Sequence, residues 1–226
     1  MKKNLLKLSA ITLTLAAAIG MSGCASTGGS TKSMEVGITS DMPSVDVMHG
    51  GKTVTIQRNQ NVDNNINPAF TKTSRKCPPF CIQPGELASG VKTIGELELL
   101  QYLQKMSAGD KSIMVIDSRT PDWVEKGTIP GAVNIPWDKL NIGKSDPITV
   151  QEILEKKLGA KQQDGFWNFD GAKTLVMFCN GHWCGQSPTN IKGLLKIGYP
   201  AHKLVWYRGG MQEWETLGLT TVKPAK

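Results

Sequence analysis

Three continuous apolar runs in the second half of the chain predict strands that are buried on both faces. The runs are Ile113–Ile116, Leu175–Phe178 and Leu204–Tyr207. A strand with one exposed face alternates apolar and polar residues, whereas an unbroken run is typical of a parallel sheet covered by helices on both sides. These runs therefore favour an α/β fold, provided that helices lie between them.

Helical periodicity precedes the first apolar run and recurs between the first run and the second. A capping box of Thr93 and Glu96 predicts the start of a first helix, and Gly109 predicts its end. A second box, Thr149 with Glu152, predicts a helix that ends at Gly159. The apolar residues predicted to face the core are Leu97, Leu100, Leu103 and Met106 in the first helix, and Val150, Ile153, Leu154 and Leu158 in the second.

Two further helices are predicted near the end of the chain. Ser187 is the predicted N-cap and Pro188 the first residue of a helix that runs to Ile197 and stops at Gly198. A short final helix is predicted over residues 211–217. Because strands alternate with helices, the predicted fold class is α/β with a parallel sheet.

Residues 34–90 have a different pattern and are predicted to form a small irregular or β N-terminal extension. Loose alternation over residues 44–48 and 52–58 predicts a hairpin. Residues 59–67 are polar and rich in asparagine, which predicts an irregular backbone. Residues 76–84 contain prolines that disfavour a helix or a central strand.

The first 23 residues have the pattern of a bacterial lipoprotein signal peptide. Lys2 and Lys3 precede an apolar run over residues 8–20, which is shorter than the roughly 20 residues that a membrane-spanning helix needs. Residues 21–24 (MSGC) then resemble a lipobox, which implies cleavage before Cys24 and lipidation of that residue. Ordinary signal cleavage nearby, with Cys24 left free, is the alternative.

These features predict where the mature protein resides. Residues 24–33 follow the signal as a flexible linker. We expect a membrane partnership through the lipid on Cys24, on the periplasmic side of a bacterial membrane. The outer membrane is favoured because Ala25 is not the acidic residue associated with retention in the inner membrane.

Charge does not point to a nucleic-acid partner. The formal net charge is +7, but three of these charges are the lysines of the signal segment. Downstream of that segment, the sequence contains no run of lysine or arginine with interleaved aromatic residues. We therefore expect no nucleic acid among the partners.

Three separated motifs carry the most specific signal. They are residues 115–119 (VIDSR), residues 127–136 (GTIPGAVNIP), and a segment that begins at Cys179 and ends with residues 207–214 (YRGGMQEW). In this order and spacing they resemble the rhodanese family of sulfurtransferases, over residues 91–222. Thr128 stands where the family usually has histidine. The resemblance implies a five-stranded parallel sheet flanked by helices, a sulfur-carrying Cys179 and no dissociable cofactor.

The position of Cys179 independently favours a nucleophile. It directly follows a predicted buried strand, and ligands of open α/β sheets bind at this edge. The next predicted helix begins near Ser187, so amide N–H groups of the loop and the positive helix N-terminus can lower the pKa of the thiol. The predicted active-site loop consists of Asn180, Gly181, His182, Trp183, Cys184, Gly185, Gln186 and Ser187. This interpretation requires a thiol that is open to solvent. A buried, inert cysteine is the alternative.

The loop departs from the family pattern. It is two residues longer than the common form and contains no arginine or lysine, so thiosulfate as donor is uncertain. Related phosphatases need arginine at the position that Gly185 occupies, so the loop disfavours that activity. Cys184 is a candidate resolving thiol or a wall residue of the site. His182 either orients an anion or is an exposed bystander, and Trp183 either covers the pocket or packs against it.

Charged residues outside the loop have mainly structural interpretations. Asp117 and Arg119 are predicted to hold the strand end by charge-assisted hydrogen bonds. Arg208, at another strand end, is a candidate anion contact or a solvated arginine. The glycines at 209 and 210 are predicted to let the backbone pass close to the loop, and Trp214 is assigned to the core.

The second cysteine pair, Cys77 and Cys81, favours a structural disulfide closed by a turn through the intervening prolines. Redox exchange with Cys179 or Cys184 is the second interpretation. A metal site has the least support because further ligands, such as His49, His182 or His202, are distant in the sequence. We therefore expect no metal.

The sequence leads to three functional hypotheses. The first is a lipid-anchored sulfurtransferase that carries sulfane sulfur as a persulfide on Cys179. The second is a thiol–disulfide or persulfide relay that uses Cys179 and Cys184. The third is a non-catalytic binding module. The expected partner is a small sulfur-containing donor or a thiol protein.

Overall fold

The structure is a computed structural model that describes residues 35–141 and 143–223. The predicted signal peptide, the lipidation site Cys24 and the linker over 24–33 lie outside the described residues. Within the described ranges, no helix has the length and apolar character needed to cross a membrane.

The central element is a five-stranded parallel sheet, which confirms the predicted fold class. Its strands are β3 (Lys92–Ile94), β4 (Ile113–Asp117), β5 (Val133–Asn134), β8 (Thr174–Phe178) and β9 (Leu204–Tyr207). Their spatial order is β3-β9-β8-β4-β5, so β8 lies in the middle of the sheet. The three apolar runs of the sequence are the three inner strands. The edge strands β3 and β5 are too short to leave a periodic signal.

Helices cover both faces of the sheet. They are α1 (Glu96–Ser107), α2 (Pro121–Val124), α3 (Pro147–Glu152), α4 (Gln186–Lys196) and α5 (Gly210–Thr216). A π-helical turn over Ile153–Lys157 continues α3, and 3₁₀ turns lie at Pro68–Phe70 and Ala201–Lys203. Two antiparallel hairpins complete the structure, β1 (Ser44–His49) with β2 (Lys52–Gln57) and β6 (Lys161–Gln163) with β7 (Phe166–Asn168).

Both predicted capping boxes are wrong. Thr93 belongs to β3, where it pairs with Trp206, and α1 instead begins after Gly95, whose N–H donates to the Glu98 carboxylate at 3.1 Å. α3 begins three residues earlier than predicted because Asp146 caps it, accepting from the Thr149 N–H at 2.8 Å. In both cases tertiary pairing or a better cap outweighs the local motif.

The N-terminal extension shares a hydrophobic core with the rest of the fold. The predicted hairpin forms, and its residues Val45, Val47 and Ile56 are buried. They belong to the same apolar cluster as residues of α1 and α5 on one face of the sheet. The hydroxyl of Thr220 also joins the end of β2, because it accepts from the Gln57 N–H at 3.0 Å. Burial of these side chains therefore fixes the extension against the domain.

Candidate active site

The predicted catalytic loop lies between β8 and α4 at the carboxyl edge of the sheet. Cys179 directly follows β8, and α4 begins after Gly185. The predicted N-cap role of Ser187 is wrong, since this residue lies inside the first turn of α4. Its side chain instead donates to the Cys179 sulfur at 3.1 Å. Because the positive end of α4 points at the loop, it favours negative charge on that sulfur.

A second hydrogen bond orients the Ser187 hydroxyl. The indole N–H of Trp206 donates to the Ser187 oxygen at 3.1 Å. An indole nitrogen only donates, so the serine oxygen acts as acceptor toward Trp206 and its proton remains available for the Cys179 sulfur. Ser187 is fully buried, which keeps water from competing for either bond. The arrangement presents a fixed O–H donor to a thiolate.

The two loop thiols have opposite pKa shifts. Burial by itself raises the pKa of Cys179, but the Cys184 thiol, the Ser187 hydroxyl and the amides of Ser187 and Asn180 outweigh it, so the pKa is lowered. Burial raises the pKa of Cys184, and the neighbouring Cys179 sulfur raises it further. The negative charge of the pair therefore belongs on Cys179.

The start of α5 holds the loop from the other side. The N–H groups of Met211 and Gln212 donate to the carbonyl oxygens of Cys179 and Asn180, each at 2.9 Å. A side chain at Gly210 would lie 2.8 Å from the Gly181 nitrogen and would overlap the Cys179 carbonyl oxygen. The close backbone approach to the loop predicted for Gly209 and Gly210 is formed at Gly210, whereas a side chain at Gly209 would meet the Glu213 side chain.

An aromatic cavity of about 380 Å³ opens beside the loop. Its walls are Arg75, Pro79, Phe80, Trp123, Trp137, Asn180, Trp183, Cys184, Gly185, Gln186 and Thr189. Cys179 is not among them and is only 3% exposed. The expectation of a thiol open to solvent is therefore not met in this conformation. Cys184, whose carbonyl oxygen lies 3.4 Å from the Cys179 sulfur, forms the cavity wall instead.

Sequence reasoning missed the residues that reach this cavity from outside the loop. Arg75 and Phe80 come from the N-terminal extension, Trp123 comes from α2, and Trp137 comes from the loop after β5. These four residues share no local sequence signal. Nothing in the local pattern of the extension indicates that it reaches the catalytic loop.

The remaining loop residues have defined contacts. The His182 ring lies 3.4 Å from the Glu213 carboxylate and is partly exposed. The Trp183 indole donates to the Gln212 side chain at 2.8 Å, and Gln186 lies 3.7 Å from the Cys184 sulfur. The side-chain oxygen of Asn180 is buried without a hydrogen-bond partner among the described residues.

The predicted anion contact of Arg208 is not formed. Its guanidinium donates to the carbonyl oxygens of Gln83 at 2.8 Å and Pro84 at 3.1 Å. Arg208 thus fastens the extension to the domain instead of facing Cys179. Cys77 and Cys81 form a disulfide in the same segment. In residues 35–141 and 143–223, no cluster of His, Cys, Asp or Glu could hold a metal ion.

Asp117 and Arg119 form a buried ion pair behind the loop. The Arg119 guanidinium contacts both Asp117 oxygens, the closest at 2.6 Å, and donates to the Gly127 carbonyl at 2.6 Å. Thr128 donates its hydroxyl to the same carboxylate at 2.8 Å. This network ties the end of β4 to the following loop, in the way that the sequence predicts.

The comparisons with known proteins agree with this fold. Residues 99–217 match the model of the rhodanese-like domain. The match covers more than half of the chain, so the chain belongs to the rhodanese-like domain family. The family and the fold support sulfur transfer in general. No curated protein matches the chain.

Three solved structures are similar to parts of the chain. A thiosulfate sulfurtransferase from Pseudomonas aeruginosa is 18% identical, with 59% of this chain and 20% of that one covered and a TM-score of 0.39. A human single-domain sulfurtransferase is 22% identical, with coverages of 55% and 95% and a TM-score of 0.35. The BH2092 protein of Bacillus halodurans is 18% identical, with coverages of 59% and 78% and a TM-score of 0.40.

The hydrogen bond from Ser187 gives a testable pH dependence. The lowered pKa of Cys179 means that its alkylation rate should rise with pH around a midpoint below that of free cysteine. In Ser187→Ala the midpoint should move to higher pH, because the thiolate loses a donor. The rate of iodoacetamide labelling as a function of pH, mapped to Cys179 by peptide mass spectrometry, measures this midpoint. Thr189→Val is the matched control, since the Thr189 hydroxyl donates to the Gly185 carbonyl and not to a thiol. Equal midpoints in both variants would contradict the assignment.

Proposed function

We propose that the protein is a sulfurtransferase that carries sulfane sulfur as a persulfide on Cys179. The observation that carries the proposal is the Cys179 thiol at the end of β8, with its pKa lowered by the surrounding donors. The same donors can hold the persulfide anion, because its terminal sulfur also accepts hydrogen bonds. Access requires the Cys184 side chain to rotate away from the cavity wall.

The transfer consists of two displacements. In the first, the Cys179 thiolate attacks the outer sulfur of a donor of the form X–S⁻ and forms the new S–S bond. The donor's X–S bond breaks and its electron pair leaves with X, as sulfite does from thiosulfate. In the second, a nucleophilic acceptor takes the outer sulfur and Cys179 leaves as thiolate. Neither displacement requires a cofactor.

A second candidate function is a redox relay through Cys184. The observation that favours it is the position of Cys184, in the cavity wall and adjacent to Cys179. A Cys184 thiolate would attack the inner sulfur of the Cys179 persulfide, form a Cys179–Cys184 disulfide and release hydrosulfide with the broken bond's electron pair. A dithiol partner protein would then reduce the disulfide, becoming oxidised itself.

Intact-mass measurement after incubation with a sulfane donor distinguishes these functions. Sulfur transfer predicts a gain of ~32 Da, one sulfur atom, on Cys179 of the wild-type protein. The relay predicts a loss of ~2 Da in the wild-type protein and a gain of ~32 Da only in Cys184→Ser, which cannot close the disulfide. No mass change in either protein with thiosulfate, polysulfide or thiosulfonate would overturn both functions and leave a binding module.

We also propose that the chain is lipid-anchored through Cys24 on the periplasmic side of a bacterial membrane. The Cys77–Cys81 disulfide supports this location, since structural disulfides persist in oxidising compartments. Cells expressing the full chain should incorporate labelled palmitate into the protein. Cys24→Ala should lose the label and appear in the soluble periplasmic fraction. Retention of label in that variant would contradict the proposal.

A further inference from the structure

We infer that the aromatic cavity beside Cys184 selects an organic sulfur anion with a flat apolar body, and that Arg75 of the N-terminal extension binds its anionic group. This inference names the donor class for the proposed sulfur transfer and rests on that function. An aryl thiosulfonate is a representative of the class. Three features of the molecule support it: Arg75 has no ion-pair partner among the described residues, the cavity wall is aromatic, and the extension is fastened beside the loop.

Arg75 presents a positive charge that no described residue neutralises in an ion pair. Its guanidinium carbon lies 4.0 Å from the centre of the Trp183 ring and 5.7 Å from that of Phe80. The Arg75 Nε is buried without a hydrogen-bond partner among the described residues. In the described part of the chain, the ion pairs formed do not include Arg75. Because Arg75 lines the cavity, its guanidinium could donate charge-assisted hydrogen bonds to an anion bound there.

The rest of the wall suits an anion with an apolar body. Phe80 and three tryptophans supply flat rings, and none of the described residues lining the cavity carries a carboxylate. Lys126 lies 3.9 Å from the Trp123 ring centre and Lys144 lies 4.3 Å from that of Trp137, so cations also surround the rim. The volume of about 380 Å³ is in the range of small organic ligands. A small inorganic dianion would leave these rings uncovered.

Asn180 supplies a second unsatisfied polar group at the same wall. It is only 3% exposed, and its side-chain oxygen has no partner among the described residues. Asn180 also lines the cavity, so its side-chain N–H₂ group could donate to a ligand oxygen bound there. Arg75 and Asn180 thus offer polar contacts to a ligand that otherwise stacks on aromatic rings.

Contacts between the extension and the catalytic loop hold Arg75 in place. Phe80 packs edge-on against Trp183, with ring centres 5.6 Å apart. The Gln83 N–H donates to the His182 carbonyl at 2.8 Å, and Arg208 donates to the Gln83 carbonyl at 2.8 Å. The segment from 75 to 84 therefore forms one wall of the cavity, and the Cys77–Cys81 disulfide lies within it.

The position of the cavity orients the reaction. With the sulfonyl oxygens of a thiosulfonate on Arg75 and its ring among the tryptophans, the outer sulfur can point toward the Cys184 wall and Cys179. The Cys179 thiolate would then form a bond to that sulfur, the donor S–S bond would break, and the organic sulfinate would leave with the electron pair. Charge is conserved, since one thiolate and one thiosulfonate anion give one persulfide anion and one sulfinate.

Binding of an unreactive analogue tests the inference separately from sulfur transfer. Benzenesulfonate has no sulfane sulfur, so its affinity does not depend on whether Cys179 reacts. Titration of the full-length protein, followed by tryptophan fluorescence, should show binding that is about tenfold or more tighter than that of methanesulfonate or inorganic sulfate, because only the aryl ring covers the apolar wall. Arg75→Gln should weaken the binding by about tenfold or more, since a charge-assisted bond is lost.

Lys76→Gln is the matched control, because it removes an adjacent positive charge that is exposed and does not line the cavity. It should leave the affinity for benzenesulfonate within about twofold of wild type, as for an exposed charge. The inference is overturned if Arg75→Gln binds as Lys76→Gln does while both retain the wild-type thermal unfolding midpoint. It is also overturned if sulfate binds as tightly as benzenesulfonate. A protein that binds benzenesulfonate but takes no sulfur would overturn the proposed function alone.

Discussion

Replacing Cys179 with serine is expected to lower the rate of sulfur transfer by at least about 10⁴-fold, the scale of losses seen when an enzyme's nucleophile is removed. A serine hydroxyl stays protonated at neutral pH and cannot form a persulfide. The donors that lower the pKa of Cys179 would remain in place, so the loss would report the missing sulfur. Thiocyanate formation from a sulfane donor and cyanide measures the rate, with the donor varied from thiosulfate to benzenethiosulfonate.

Cys184→Ser is the control for the same assay. In the wild-type protein the pKa of the Cys184 thiol is raised, which makes Cys184 the poorer nucleophile of the pair. In a direct sulfurtransferase, Cys184→Ser keeps transfer to cyanide within about tenfold of wild type, because the nucleophile remains and a serine hydroxyl can replace the Cys184 thiol as a donor beside it. If Cys179→Ser retained transfer and Cys184→Ser lost it, the nucleophile would be Cys184 and the assignment of Cys179 would be wrong.

The second large effect is expected at the buried ion pair. Arg119→Leu should lower the free energy of unfolding by about 3–5 kcal/mol, because it leaves the Asp117 carboxylate buried without its counter-charge. Both residues are fully buried, so water cannot replace the guanidinium. Among the described residues, the donors left to the carboxylate would be the backbone N–H of position 119, at 3.0 Å, and the Thr128 hydroxyl, at 2.8 Å. Urea denaturation followed by circular dichroism measures the change.

Two controls define this prediction. Lys156 and Glu152 form an ion pair of the same 2.6 Å length, but their side chains are 70% and 56% exposed. Lys156→Gln breaks this exposed pair and should change the free energy of unfolding little. The double variant Asp117→Asn/Arg119→Leu should lose less stability than the sum of the two single variants, because neither then leaves an unpaired charge. A loss below about 1 kcal/mol in Arg119→Leu would contradict the structural role of the pair.

The inner strands and the position of Cys179 at the end of one of them could be predicted from local sequence. Leu204–Tyr207 is a strand with the predicted bounds, and the other two apolar runs are each extended by one residue. Such runs are reliable because a strand covered on both faces must be apolar throughout. Helix starts were less predictable, since the local choice of cap competes with pairing elsewhere. Thr93 is the example, because it pairs with Trp206 in the sheet and therefore does not cap the helix.

The catalytic loop shows the same division between local and tertiary information. Its residues and its position after β8 follow from sequence order alone. The role of Ser187 does not, because its hydroxyl is oriented by Trp206 on another strand. Likewise, the loop contains no arginine or lysine, and the arginine that lines the cavity beside it is Arg75 of the extension. Arg208 does not line the cavity, because its guanidinium donates to backbone carbonyl groups of the extension.

The sequence by itself determined the α/β class, the three inner strands and the placement of a cysteine where a strand meets a helix. Those features depend on near neighbours along the chain, whose apolar spacing and turn residues act locally. Only the tertiary structure decided that Cys184 covers Cys179, that the extension shares the core, and that Arg75 and four aromatic rings meet beside the loop. The extension and the loop are far apart in sequence, and packing of the extension on the domain brings them together.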